Sequence, residues 1–133
     1  MEIIIDKPPI YEEAAKVFPL QGREIFAWGD KIYNPGGFDI PAWLVAHEKV
    51  HANQHMDDTG HFNPEAWWAR YLVDVEFRFQ EELEAHRAEY RSYCQFNLDR
   101  NKQAAYKRTV AKKLAAPLYG NMITVFDAVR RIT

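Results

Sequence analysis

His47-Glu48-Lys49-Val50-His51 is the stretch whose residue types and spacing could do chemistry. On a helix, residues four apart stand on one face, so two imidazoles can reach one metal ion from a rigid support. Glu48 would then sit beside the open position of that metal and take a proton from a water held there. Neutral nitrogen ligands keep Zn²⁺ strongly Lewis-acidic, and an adjacent carboxylate turns its water into a nucleophile near neutral pH. The plainer account is an amphipathic helix that carries two histidines by accident. With 5 His and 11 Glu in the chain, a shuffle would produce the pattern only roughly 0.015 times. The sequence therefore points to a zinc site.

The helix needed to carry this motif is well marked. Asp39 and Pro41 supply an N-terminal cap and first turn, and Trp43, Leu44, Val45, Ala46 and Val50 make a helix over 41–56 apolar enough to be buried. Before it, Glu2 to Asp6 is a β-branched strand, Tyr11 to Phe18 a helix with Ala14, Ala15, Val17 and Phe18 inward, and Glu24–Trp28 with Lys31–Tyr33 a hairpin around Gly29-Asp30. An exposed edge of that sheet could add an extended peptide as a strand. After it, Asn63-Pro64 caps a helix to Val73, and a long run from about Val75 to Phe96 repeats apolar positions Phe79, Leu83, His86, Tyr90 and Tyr93 in steps of three and four. Helices over 100–116 and about 121–131 follow, parted by Pro117-Leu118-Tyr119-Gly120. The expected fold is α+β, mostly helical, with a small antiparallel sheet, in one domain over 1–133.

Two histidines leave zinc one protein ligand short. His55 continues the face of His47 and His51, but lies about 12 Å along the axis from His47 at 1.5 Å per residue. His61 and His86 are candidates too, but Gly60 is out of place for the longer spacing that His61 needs, which leaves the acidic cluster of Glu81, Glu82 and Glu84. His47-Glu48-x-x-His51 followed by Glu82-x-Glu84-Ala85 resembles the gluzincin branch of the zincin metallopeptidases. In that branch the third ligand is a Glu on a second helix, often in a Glu-x-x-Ala setting. The resemblance implies Glu82 as ligand, a minimal zincin fold in which that helix crosses the motif helix, and a zinc-dependent peptidase with Glu48 as general base. His86 stands one turn on, where related enzymes often have an acid bracing a zinc-binding His. His51-x-x-Gln54 is also similar to small zincin-like proteins, some of them phage-encoded. A peptidase needs a donor for the developing oxyanion; Tyr71, Tyr90, Tyr93, Tyr119, His55 and His86 are all open to that role, and spacing selects none.

At 133 residues with 47% hydrophobic content, the chain can bury a single core. No apolar run reaches the ~18 residues needed to span a bilayer, and no signal peptide is evident. The lone Cys94 suits a reducing compartment, so a cytoplasmic site of synthesis is expected, with incorporation in a virion open to a phage-like protein. Residues 1–99 hold 9 Lys/Arg against 18 Asp/Glu, whereas residues 100–133 hold 8 against 1. The basic end either packs beside acidic helices or docks on an acidic partner. It carries no recognised nucleic-acid motif, which argues against nucleic acid. The expected partners are zinc and either a peptide substrate or neighbouring subunits of an assembly. In the second case the chain would be a zincin-derived structural subunit without turnover.

Overall fold

The computed structural model describes residues 1–133. Its elements are β1 (Glu2–Ile4), α1 (Tyr11–Val17), β2 (Phe26–Trp28), β3 (Lys31–Tyr33), α2 (Ala42–Gln54), α3 (Pro64–Val73), α4 (Val75–Phe96), α5 (Arg100–Leu114), a 3₁₀ turn (Pro117–Tyr119) and α6 (Val125–Ile132). The fold is mostly helical with one small sheet, as expected. None of its helices is long and apolar enough to cross a membrane.

The sheet is mixed rather than antiparallel. Its order is β1-β3-β2, with β2 and β3 paired as the expected hairpin and β1 parallel to β3, Ile3 opposite Ile32. The central place of β3 explains the arrangement, because Ile32 becomes completely buried between two flanking strands. Within α1 only Ala14 is buried, so the helix packs by a narrower stripe than its sequence suggested.

Two apolar clusters flank a polar layer. Phe26, Trp67, Trp68 and Tyr71 form one, joining β2 to α3. Phe79, Leu83, Val110, Ala111, Leu114, Tyr119, Ala128 and Ile132 form the other, joining α4 to α5, the 3₁₀ turn and α6. Helix α2 lies against α4 in antiparallel fashion: Trp43 meets Tyr93, His47 meets Glu89, and Gln54 reaches the Glu81 carbonyl.

Helix α2 differs from its sequence reading in two ways. Pro41 is its N-cap, no side chain caps it, and Asp39 is exposed. The Pro41 carbonyl accepts from the Leu44 and Val45 N–H groups at 3.0 and 3.1 Å, so the first turn closes on backbone bonds alone. Its buried residues are Glu48, His51 and Ala52, while Trp43, Leu44, Val45, Ala46 and Val50 are only half-buried. The helix thus turns polar side chains inward, which demands compensation.

Helices α3, α4, α5 and α6 each start under a side-chain cap, whereas α1 has none. Asn63 Oδ1 accepts from the Ala66 N–H at 3.2 Å, as its Asn-Pro start implies. Asp74 is at once the residue that ends α3 and the cap of α4, accepting from the Phe77 N–H at 3.0 Å. The buried Arg78 guanidinium donates to the carbonyls of Tyr71, Leu72 and Leu118 at 2.8, 3.0 and 2.8 Å. It neutralises the end of α3 and ties the 3₁₀ turn to α4. Gly120 then leaves that turn at φ +80°, where a side-chain carbon would come within 2.8 Å of Val75.

The second cluster should dominate stability. Leu114→Ala, at a fully buried position, should cost about 2–5 kcal/mol in a urea titration. Leu98→Ala, at 85% exposure, should stay within about 0.5 kcal/mol of wild type.

Candidate metal centre

Two facing helices build the site. On α2, the i,i+4 spacing stacks His47 and His51 with ring centroids 4.9 Å apart. On α4, Glu82 is buried and faces both rings. Its Oε1 lies 3.2 Å from His47 Nε2 and its Oε2 lies 3.2 Å from His51 Nε2.

The far side of each ring fixes which nitrogen is free. His47 Nδ1 is 2.8 Å from Glu89 Oε1, and His51 Nδ1 is 2.7 Å from Gln54 Oε1. Both partners are oxygens that only accept, so both Nδ1 atoms donate and both Nε2 atoms turn toward Glu82. Gln54 is itself held by donation to the Glu81 carbonyl at 3.1 Å. Tyr71 Oη donates to Glu82 Oε2 at 2.5 Å.

Two observations show that this donor set fits a metal ion. Ligands of a tetrahedral ion with bonds of about 2.0–2.1 Å stand about 3.3 Å apart, close to the two 3.2 Å separations. The buried Glu82 Oε1 is also left without a hydrogen-bond partner, an acceptor open to a further ligand. The three side chains could hold one ion between them. His47, His86 and Glu89 form a second set within reach of one ion. There His47 is already committed through Nδ1 to Glu89, which makes that contact a brace rather than a second pair of ligands.

The other candidates fall elsewhere. Glu81 accepts from Trp67 Nε1 at 2.9 Å, and Glu84 is exposed. His55 Nδ1 accepts from the Gly29 N–H at 2.9 Å, so this residue pins the hairpin turn to α2. His61 is exposed and bonds Thr59. His86 donates Nδ1–H to the Glu82 carbonyl at 2.7 Å and supports the backbone beneath Glu82. The acid that braces His47 is Glu89, fully buried and two turns beyond Glu82 on the same face. Sequence reasoning looked only one turn on and missed it; the i,i+7 spacing was the available signal.

The electrostatics are those of a compensated buried cluster. Burial opposes charge on His47, yet the Glu82 and Glu89 carboxylates outweigh it and raise its pKa to about 10. His51 is raised in the same way, burial opposing and Glu82 prevailing. Burial pushes Glu82 up, but His51 and His47 bring it well below the usual carboxylate range. Glu89 is likewise pushed up by burial and brought to about 2 mainly by His47. Glu48 behaves differently: burial raises it, His47 and His51 counter only part of that, and its Oε2 has no partner. Burial thus holds the Glu48 carboxyl above the usual carboxylate range, in contrast to Glu82 and Glu89.

Glu48, His47, His51 and Glu82 open on a cavity of about 470 Å³. Phe18, Leu20, Phe26, Phe38, Leu44 and Leu118 contribute its apolar walls, and Tyr71 and Tyr119 also line it. Tyr90 and Tyr93 are not among the lining residues. Beside the cavity, the Ala27 carbonyl of edge strand β2 is occupied by Trp68 Nε1 at 3.0 Å, so that edge is partly closed to an added strand. Comparison with protein-family models, curated proteins and solved structures finds no match to this chain.

Two outcomes follow from the charges. At pH 7.5 His47 holds a proton that a metal must displace, since its pKa is about 10. Zn²⁺ binding should therefore release protons to the buffer, seen by calorimetry in buffers of different ionisation enthalpy, and affinity should rise with pH by roughly tenfold per unit for each displaced proton. Chelator-stripped protein should also lose stability as pH falls below 6.5. His55 and His86 are lowered from 6.5 to about 3 and about 4 by burial, with His51 and His47 respectively adding to it, so their contribution is complete above pH 6.5 and shrinks toward pH 3. The raised His47 and His51 work the other way, but their gain is complete once pH has fallen below 6.5 and does not offset the loss beneath it. Glu89 adds a loss between 4.5 and about 2. A urea midpoint that is flat from pH 7 to 4 would contradict this.

Proposed function

We propose that the chain is a zinc-dependent peptidase of minimal zincin type, with His47, His51 and Glu82 as metal ligands and Glu48 as general base. The observation that carries this reading is the convergence of two Nε2 atoms on Glu82 at 3.2 Å, with Glu48 beside them on the same cavity yet outside the donor set. Three protein ligands suit a catalytic zinc, which keeps a fourth position for water or substrate.

Bound zinc would supply a Lewis acid that polarises a carbonyl and acidifies a water. The protein's own groups do the rest. Gln54 and Glu89 hold the two imidazoles in the tautomer that frees Nε2. Glu48 takes the proton from the attacking water and passes it to the leaving amine. The Tyr71 hydroxyl is committed to Glu82, which leaves Tyr119, on the same cavity wall, as the better-placed donor to the carbonyl oxygen. The apolar walls accept the substrate's side chains and keep bulk water from the charges.

A second reading keeps the metal for structure alone, in a subunit of a larger assembly. It draws on exposed apolar side chains away from the cavity, Phe96 at 63%, Leu98 at 85% and Phe126 at 72%, which an assembly would cover.

Glu48→Gln separates the two. In a peptide-library digest scored by mass spectrometry, the peptidase reading expects cleavage by wild type and a loss of about 10²–10⁴ in rate for the variant. Its zinc content and fold should be unchanged. Absence of cleavage by wild type loaded with zinc would favour the structural subunit.

A further inference from the structure

The basic helix α5 reaches the metal centre through a single buried carboxylate. Glu89 is fully buried. Its Oε1 receives His47 Nδ1–H at 2.8 Å, and its Oε2 receives the Tyr106 hydroxyl at 2.5 Å, with Lys113 Nζ at 3.8 Å. A buried carboxylate needs its lone pairs filled, and each donor withdrawn costs more here than at the surface.

The Tyr106 ring is held from both facing helices. It stacks on Tyr93 of α4 with centroids 4.0 Å apart and planes 3° apart, and stands edge-on to Trp43 of α2 at 6.3 Å. Trp43 lies one turn before His47, and Tyr93 lies one turn after Glu89. The clamp therefore repeats, one layer up, the pairing of His47 with Glu89, and its hydroxyl points down into that pair. Lys113 is half-exposed and opens on the cavity, so its share of the charge is screened and secondary.

We propose that Tyr106 is a positioning residue for the metal centre, acting through Glu89 on His47, so that α5 is part of the metal site although it supplies no ligand. This rests on the metal reading above. With its second oxygen saturated by Tyr106, Glu89 has one orientation available, and His47 Nε2 keeps its aim on the ion. Without that hydroxyl, the carboxylate can rotate or draw in water, and the imidazole loses its fixed orientation.

Tyr106→Phe keeps the stacked ring and removes only the hydroxyl. Competition with a chromophoric chelator should show zinc affinity lowered about 10–100-fold, and the visible spectrum of the Co²⁺-substituted protein should shift. Tyr90→Phe, which removes a hydroxyl from the same helix α4 outside the clamp and away from the cavity lining, should bind zinc within twofold of wild type. Glu89→Gln should lose at least as much affinity as Tyr106→Phe, and the double variant should lose no more than Glu89→Gln alone. Circular dichroism would check that each variant folds; should Glu89→Gln fail to fold, the two tyrosine variants still decide the matter. Tyr106→Phe with wild-type affinity and an unchanged cobalt spectrum would overturn the proposal, as would losses that add in the double variant. Failure of wild type itself to bind zinc would overturn the metal reading first.

Discussion

Three carboxylates are buried between two apolar clusters, and the rest of the fold is arranged around that constraint. Glu48, Glu82 and Glu89 are all buried, and an uncompensated ion there would cost several kcal/mol. Two of the three are compensated within the fold. Glu82 has two imidazoles and a tyrosine, while Glu89 has an imidazole, a tyrosine and a lysine. Glu48 has no such partner for its Oε2. Glu82 Oε1 shares that lack; both residues line the same cavity, one from each of the two facing helices.

The lopsided charge of the sequence acquires a partial physical meaning from this cluster. The acidic part contains the carboxylates that converge on α2, and the basic part returns along α4 to set Tyr106 and Lys113 against one of them. Lys107, by contrast, lies over the Tyr90 ring at 4.9 Å and donates to Thr133. Most of the remaining basic side chains of α5 and α6 are exposed and have no acidic partner.

What could be read from the sequence follows how local each signal is. The His47/His51 face and the Val75–Phe96 helix are written in periodicities of three and four, and both elements have nearly the expected bounds. Glu82 could be singled out only by its resemblance to a family pattern, because Glu81 and Glu84 are equally acidic; its orientation toward both rings is a property of how α4 crosses α2. Glu89 and Tyr106 were missed for a related reason. Their partners lie 42 and 17 residues away in the chain; the i,i+7 spacing puts Glu89 on the face of Glu82 but does not name its partner, and no local pattern marks Tyr106. The parallel pairing of β1 with β3 is non-local in the same sense. The inward turn of α2 was misjudged because apolar residues were expected to mark the buried face, whereas Glu48 and His51 occupy it.

Asp74 joins α3 to α4 with no residue to spare, ending one helix and capping the next. The junction therefore acts as a gear with fixed teeth. Adding one residue between Val73 and Val75 would advance everything beyond it by about 100° around the helix axis, turning Glu82 and Glu89 together away from the histidines. Loops such as Asn97-Leu98-Asp99 and Gly120 to Thr124 carry no such phase relation. Length variation among any relatives of this chain should accordingly be found at those loops and be absent at the α3–α4 joint, where a single insertion would disengage both acids at once.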